Sequence, residues 1–241
     1  MNALLTVEGV GKRFRGLLAV DNVSFSVAQG TIFAVIGPNG AGKTTLFNIV
    51  AGVFAPDQGT ITFADARIDG LKPDAVCRRG IGRTFQLVRP FPGLTVEDNV
   101  IVGAMLHRRE LAQARLRAHE VLWQLDLFGK RHQVASALTL PDRKRLEVAR
   151  ALATEPRLLL LDEVMAGLRP AETDRMVEIL TKLNRETGLT ILLIEHVMRA
   201  VMALASRVLV LHHGAAIAEG APEAVVREPA VIESYLGAEA L

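Results

Sequence analysis

The residues best suited to chemistry lie in one glycine-rich segment, residues 37–44, which reads Gly-Pro-Asn-Gly-Ala-Gly-Lys-Thr. It fits the pattern G-x-x-x-x-G-K-[ST], in which backbone N–H groups and a helix N-terminus surround phosphate oxygens. Lys43 would reach the β- and γ-phosphates, and the Thr44 hydroxyl would bind Mg²⁺. The segment therefore predicts a nucleoside triphosphate site formed by Gly37, Pro38, Asn39, Gly40, Ala41, Gly42, Lys43, Thr44 and Thr45.

A second group of candidate residues ends an apolar run, Leu-Leu-Leu-Leu-Asp-Glu at residues 158–163. Central strands of parallel sheets are apolar at every position, and ligands bind at their carboxyl ends. Asp162 is therefore predicted to hold the Mg²⁺ that Thr44 also contacts. Glu163 is predicted to lie beside the γ-phosphate and its attacking water.

The elements around these motifs predict an α/β fold. Residues 31–36 read as a buried strand that leads into the glycine-rich segment, and residues 45–51 read as a helix that follows it. The second half alternates between strands (158–161, 189–194, 207–211) and helices (170–186, 197–205). This alternation predicts a mostly parallel sheet with helices on its faces.

Two other regions depart from that alternation. Residues 4–10 and 18–27 read as strands, whereas residues 95–150 have a helical pattern. Within the latter, residues 111–128 place apolar side chains at helical intervals. We expect this helical region to form a lobe of its own, inserted between strands of the core.

Composition narrows the class of protein. The chain has 241 residues, 22% of them charged, and a net charge of +2, which is too small to imply nucleic-acid binding. The single cysteine, Cys77, excludes an internal disulfide and favours a reducing compartment. There is no apolar run of about 20 residues and no secretory signal at the start, so we expect a soluble protein that reaches a membrane through a partner.

In order and spacing, the motifs resemble those of the ATP-binding subunit of an ABC transporter, and the likeness runs from end to end. That family has a glutamine after a strand ahead of its helical lobe, and Gln86 matches it. It has a histidine after the strand that follows the acidic pair, matched by His196. It also has an aromatic residue near the N-terminus that stacks on adenine, matched by Phe14.

The resemblance implies one ABC ATP-binding domain over residues 1–241. Its fold would be a P-loop NTPase core, residues 1–90 and 155–241, with an N-terminal antiparallel β-subdomain. An α-helical subdomain would be inserted at about residues 91–154.

The resemblance also assigns roles to the matched residues. Glu163 would polarise the attacking water, and His196 would orient it against the γ-phosphate. Lys43 and Mg²⁺ would stabilise the charge that develops in the transition state. Gln86 would contact the metal and sense the γ-phosphate.

Two such subunits would enclose two ATP molecules, each contributing a signature segment to the ATP bound by the other. The family's usual Leu-Ser-Gly-Gly-Gln is replaced here by Leu-Thr-Leu-Pro-Asp. Thr139 keeps a hydroxyl for the partner's ATP, while Pro141 removes one N–H donor. Asp142, also facing that ATP, would repel the γ-phosphate unless it points away or pairs with Arg143 or Lys144.

Residues 83–100, 16–23 and 231–237 are similar to those of ATPases serving importers of branched-chain and other hydrophobic amino acids. This branch implies permease subunits, a second ATP-binding subunit in a homo- or heterodimer, and, indirectly, a substrate-binding protein. The chain would be cytoplasmic, peripheral on the inner face of the plasma membrane.

Two alternatives stay open at this point. One is the ATPase of a lipopolysaccharide exporter; the other is a nucleotide-binding, dimerising subunit with little turnover, which the altered signature suggests. An ABC ATPase of the DNA-repair type is disfavoured because long coiled-coil heptads and a basic stripe are absent from the sequence. The residues do not identify the transported substrate.

Overall fold

The computed structural model describes residues 3–85 and 90–239 and is organised by two β-sheets. An antiparallel sheet, in the order β2-β1-β4-β5, contains β1 (Ala3–Phe14), β2 (Leu17–Ala28), β4 (Gln58–Phe63) and β5 (Ala66–Arg67). The larger sheet contains β3 (Ile32–Ile36), β6 (Ile81–Arg83), β7 (Leu158–Asp162), β8 (Thr190–Ile194), β9 (Arg207–His212) and β10 (Ala215–Gly220). Its order is β10-β9-β3-β8-β7-β6, with every pair parallel except β10 on β9.

Helices connect and cover these strands. They are α1 (Lys43–Val50), α2 (Pro73–Arg78), α3 (Val96–Ala104), α4 (Leu111–Gln124), α5 (Leu140–Leu152), α6 (Pro170–Thr187), α7 (Met198–Leu204), α8 (Pro222–Val225) and α9 (Pro229–Glu239). Helices α3 to α5 lie between β6 and β7 in the chain, as the helical pattern of that region predicted. The predicted α/β class, with an antiparallel β-subdomain and inserted helices, is confirmed.

The larger sheet is buried on both faces, which explains its apolar strands. Along β3, Phe33 and Val35 face a core shared with the antiparallel sheet and α1. Ile32 and Ile36 face the opposite core, which includes apolar residues of α3, α4 and α5. Because neighbouring side chains of a strand point to opposite faces, a strand between two cores must be apolar throughout.

One helix ends earlier than its sequence pattern predicted. We expected helix over residues 111–128, but α4 stops at Gln124. Asp126 adopts a left-handed conformation with φ +54°, and the Leu127 N–H donates to the Leu122 carbonyl at 2.8 Å. This arrangement terminates α-helices, and it keeps the Leu127 side chain buried beyond the helix end.

The C-terminal elements were not predicted. Strand β10 reads Ala-Ala-Ile-Ala-Glu-Gly and contains one β-branched residue, Ile217, and no aromatic residue, so its strand signal is weak. It forms by antiparallel pairing with β9 at the edge of the larger sheet. Among the described residues, no helix combines the length and apolar character needed to cross a membrane.

Candidate nucleotide site

The glycine-rich segment connects β3 to α1 and passes close to two other strands. Gly37 has φ +145°, and a Cβ there would lie 2.1 Å from the Leu211 carbonyl oxygen of β9. Gly42 has φ +98°, and a Cβ there would lie 2.4 Å from the Ala19 carbonyl oxygen of β2. Both positions require glycine, since any side chain would collide with a strand backbone.

Lys43, the first residue of α1, is buried and brings the two motifs together. Its ammonium donates hydrogen bonds to the carbonyl oxygens of Gly37, at 2.7 Å, and Pro38, at 2.9 Å. Burial lowers the pKa of Lys43, and the charges of Glu163 and Asp162 oppose that change. The lysine of the loop and the two predicted carboxylates therefore converge on one place.

A cleft of about 490 Å³ opens above the N-terminus of α1. It is lined by Leu17, Leu18, Ala19, Asn39, Gly40, Ala41, Gly42, Lys43, Thr44, Thr45, Glu163 and His213. Backbone N–H groups at a helix N-terminus favour anions, and Lys43 adds a positive charge. The predicted phosphate-binding residues from Asn39 to Thr45 thus share one cleft with Glu163, and the cleft fits a polyphosphate.

Asp162, the last residue of β7, keeps one carboxylate oxygen without a partner in the part of the chain that the structure describes. Its Oδ2 lies 3.3 Å from a guanidinium nitrogen of Arg83, whereas its buried Oδ1 accepts no hydrogen bond there. Burial raises the pKa of Asp162, and the charge of Arg83 opposes the rise. A buried acceptor lacking a donor is unfavourable, so the site fits an added cation.

The donor set matches Mg²⁺ in particular. Asp162 and Thr44 supply oxygen ligands, which hard cations prefer, and Thr44 is exposed in the cleft. Mg²⁺ commonly takes one or two protein ligands and completes its shell with phosphate oxygens and water. In the described ranges, no cluster of three or more His, Cys, Asp or Glu residues could hold a metal by itself.

Glu163 and His196 form a direct pair at the edge of the cleft. The Glu163 Oε1 and His196 Nε2 atoms are 2.5 Å apart, although the residues are 33 positions apart in sequence. Glu163 has φ +52°, an uncommon conformation for a residue other than glycine. The parallel pairing of β7 with β8 brings the two residues together, because each follows the carboxyl end of its strand.

Phe14, which was predicted to stack on adenine, does not line the cleft. Phe14 ends β1 and packs edge-to-face against Phe54, with ring centroids 5.1 Å apart. The cleft wall nearest in sequence is formed by Leu17, Leu18 and Ala19, so stacking of Phe14 on adenine stays a prediction. Gln86 lies outside the described residues.

The signature segment has a different arrangement from the one expected. Asp142 is buried, and its carboxylate pairs with Lys130 and Arg145 rather than with Arg143 or Lys144. The Thr139 hydroxyl also donates to Asp142, at 2.8 Å. Burial alone would raise the pKa of Asp142, but hydrogen bonds from Lys130 and Thr139 and the charge of Arg145 lower it.

Of the two alternatives for Asp142, the structure shows the one in which it points away, and helix geometry explains why it does not pair with Arg143 or Lys144. On a helix, residues three positions apart share a face, whereas adjacent residues point in different directions. Arg145 therefore reaches Asp142, while the Arg143 guanidinium contacts the Leu138 carbonyl at 3.0 Å. Lys144 extends instead to the Glu163 carbonyl, at 2.8 Å.

Three residues around the site were not predicted from the sequence to be site residues. Lys144 and Glu195 are buried beside the turn that contains Glu163, and Tyr235 of α9 lies near the Gly37 backbone, with a pKa raised by burial. The ionisable residues interrupt apolar patterns, Lys144 on the inner face of α5 and Glu195 directly after β8. An ionisable residue at an otherwise apolar position was the sequence feature that could have identified Lys144 and Glu195.

Comparisons with known proteins agree with this geometry. The family model described as "ABC transporter" matches residues 20–166, and that of the "branched-chain amino acid ATP-binding cassette transporter" matches residues 217–240. The branched-chain amino acid transport ATP-binding protein LivG of Salmonella typhimurium is 41% identical, covering 97% of this chain and 98% of its own. The branched-chain amino acid transport ATP-binding protein BraF of Pseudomonas aeruginosa is 39% identical, covering 97% of this chain and 98% of its own.

Solved structures of ABC transporter cassettes share the fold. One in its ADP conformation aligns with a TM-score of 0.90 and 30% identity, covering 98% of this chain and all of that one. A dimeric cassette in a post-hydrolysis state, bound to ADP and Pi, aligns with a TM-score of 0.82 and 25% identity, covering 90% of this chain and 98% of that one. The chain belongs to the ATP-binding subunits of ABC transporters.

Proposed function

We propose that this chain is the ATP-binding and ATP-hydrolysing subunit of an importer for branched-chain or related hydrophobic amino acids. The observation that carries the catalytic part is that Lys43 and Glu163 line one cleft, with Asp162 close enough for its charge to act on Lys43. The importer part is supported by the likeness to LivG and BraF along nearly the whole chain.

Each of the following residues has a separate role in hydrolysis. Glu163 accepts a hydrogen bond from the attacking water and polarises it, while its contact with His196 fixes the direction of both side chains. Lys43 leaves the Gly37 and Pro38 carbonyls and moves its ammonium onto the phosphates. Thr44 and Asp162, with Gln86 as a further predicted ligand, would hold Mg²⁺, which would supply positive charge to the phosphate oxygens.

The test compares phosphate release by the purified protein and by Glu163→Gln at saturating ATP. We expect the variant to lose at least about a hundredfold in kcat, since general acid–base groups contribute 10²–10⁴-fold. Its affinity for ATP, measured by calorimetry, should stay within about twofold. Equal turnover of the two proteins, with ATP binding intact, would instead support a binding subunit without hydrolysis.

That second candidate rests on the signature segment. Thr139 is the residue predicted to reach the partner's γ-phosphate, but its hydroxyl donates a hydrogen bond to Asp142. Pro141 has no N–H to donate. Two copies of this chain would therefore offer few donors to each other's ATP. The lipopolysaccharide export protein LptB of Escherichia coli, 35% identical over 98% of both chains, supports the exporter alternative less strongly.

We further propose that permease subunits dock in a groove of about 500 Å³ between α2, β6, α3 and α5. Its exposed apolar residues include Phe85, Val102 and Met105, and Arg150 of the same groove covers the ring of exposed Phe91 at 4.9 Å. An apolar groove suits a short permease helix, and such docking would hold the chain on the inner face of the plasma membrane.

To test docking, the membrane-bound fraction of the protein is measured in cells that also express the permease subunits. Phe91→Asp should reduce the membrane-bound fraction, because it places a charge beside the groove. Leu116→Asp, on an exposed residue of α4 outside the groove, is the matched control. Unchanged recruitment of Phe91→Asp would place the permease contact elsewhere.

A further inference from the structure

The turn that contains Glu163 adopts a conformation that its own sequence does not favour. Glu163 has φ +52°, in the left-handed region where a side chain crowds the backbone. Such conformations persist when the surrounding structure holds them in place, and they concentrate at functional sites. The contacts that hold this turn therefore bear on where the Glu163 carboxylate points.

Three hydrogen bonds from separate parts of the fold hold the turn. The Glu163 N–H donates to the Ile194 carbonyl of β8 at 3.0 Å. The Lys144 ammonium of α5 donates to the Glu163 carbonyl at 2.8 Å. The Glu195 carboxylate accepts the Met165 N–H at 2.9 Å.

Two of these three contacts come from buried ionisable side chains. Lys144 is 6% exposed and Glu195 is 1% exposed. Burial lowers the pKa of Lys144, whereas the charges of Glu195, Glu163, Asp162 and Glu147 oppose that change. An apolar side chain would fill the same space without the desolvation penalty of a buried charge, so the ammonium has a role beyond packing.

We propose that Lys144 is a positioning residue for ATP hydrolysis, acting through the Glu163 backbone carbonyl to aim the Glu163 carboxylate at the attacking water. The inference rests on the catalytic role proposed for Glu163. Lys144 begins the second turn of α5, the helix that starts with the signature segment. A shift of α5 would therefore move the turn of the chain's own catalytic glutamate.

The experiment compares the wild-type protein with Lys144→Met, which keeps the unbranched stem as far as Cε but removes the ammonium donor. We expect kcat for ATP hydrolysis to fall at least about tenfold, since small misplacements of reacting groups slow catalysis steeply. KM and the calorimetric affinity for ATP should stay within about twofold, because Lys144 does not line the nucleotide cleft. Lys144→Arg, which keeps a cationic donor, should recover most of the lost kcat.

Controls separate this effect from a loss of folding. Lys182→Met removes an exposed lysine of α6 and should match the wild type in kcat and KM. Circular dichroism and urea unfolding verify that each variant is folded. If Lys144→Met does not fold, Lys144→Leu replaces it, with a shorter apolar side chain that also has no donor and the same expected loss of kcat.

The outcomes distinguish the two proposals. A folded Lys144 variant with wild-type kcat, while Glu163→Gln is inactive, would overturn the positioning role and leave the proposed function intact. A parallel loss of ATP affinity and kcat would also overturn it, because the role would then be structural. If the wild type released phosphate no faster than Glu163→Gln, both proposals would fall.

Discussion

The nucleotide cleft and the signature segment are both junctions where a loop leads into a helix, yet they present opposite surfaces. At the start of α1, backbone and ammonium groups line an open cleft that faces two acids. At the start of α5, Asp142 is turned inward and held by two cations and a hydroxyl. A helix N-terminus thus offers an anion site only where its surrounding side chains leave the donors available.

The two regions also differ in how they hold a buried acid. Asp142 is surrounded by cations and stays charged, so its pKa lies below the ordinary value. Glu195, beside the Glu163 turn, has a pKa raised by burial to about 7. The surroundings therefore favour the charged form of Asp142 and the protonated form of Glu195.

The largest expected effect is on the signature side. Asp142→Asn should lower the free energy of unfolding by about 3–5 kcal/mol at pH 7, because it removes the charge-assisted hydrogen bonds that buried Asp142 accepts from Lys130 and Arg145, each worth about 1.5–3 kcal/mol. Because the pKa of Asp142 is depressed, its stabilisation is present above about pH 4 and is lost as the pH falls through its folded value. Urea unfolding at pH 7 and below pH 4 measures both quantities.

Asp174→Asn provides the matched control for this variant. Asp174 also pairs with an arginine, Arg199, which lies outside the Asp142 cluster, and its side chain is 57% exposed. An exposed ion pair contributes less than about 1 kcal/mol. Equal destabilisation by the two substitutions would show that burial does not distinguish the Asp142 cluster.

The next effect is on the catalytic side and has the opposite pH dependence. The folded pKa of Glu195 is raised from 4.5 to about 7, so the folded state holds a proton that the unfolded state releases. Stability therefore falls as the pH rises between about 4.5 and 7. Glu195→Gln resembles the protonated form of Glu195. Its free energy of unfolding should exceed that of the wild type by about 3 kcal/mol at pH 8 and by little at pH 4.5.

Urea unfolding of both proteins at pH 4.5, 6 and 8 measures this difference. The charged and polar groups that face Glu195 are Glu163, Lys144 and the N–H groups of Met165 and His196. These groups are the same in both proteins, so their own titration largely cancels. A stability difference that does not change with pH would contradict the buried, protonated Glu195.

A smaller effect tests the cleft itself. Lys43→Ala should weaken ATP binding by at least about tenfold, because it removes hydrogen bonds of about 1.5–3 kcal/mol to charged phosphates. Titration calorimetry with ATP and Mg²⁺ measures the affinity, and Lys72→Ala, on an exposed lysine before α2, is the control. Unchanged affinity of Lys43→Ala would remove the phosphate-binding role from this loop.

The smallest expected effect concerns Thr139. If its hydroxyl serves Asp142, as in this structure, Thr139→Ala should change kcat/KM for ATP by less than about threefold. If the hydroxyl instead binds the γ-phosphate of the partner's ATP, the loss should exceed tenfold. Steady-state ATPase assays over a range of protein concentrations decide between these outcomes and directly test the contrast between the two helix starts.

Much of the site was predictable because its requirements are local. Gly37 and Gly42 are required because the loop backbone passes close to other strands at these two positions. The spacing of glycines in the sequence shows this requirement directly. The apolar run before Asp162 indicates a strand buried on both faces, which places the acid at a carboxyl end. The helical insert was likewise apparent from its periodicity, although the end of α4 at Gln124 depended on a left-handed Asp126.

The amino-acid sequence by itself determined the α/β class, the phosphate loop and the acidic end of β7, because each depends on neighbours within a few residues. Only the tertiary structure decided that Asp142 pairs with Lys130, and that Lys144 holds the Glu163 turn. Those contacts join separate elements, and burial of Asp142 and Lys144 strengthens them. Burial is a property of the packed molecule and is not set by local sequence.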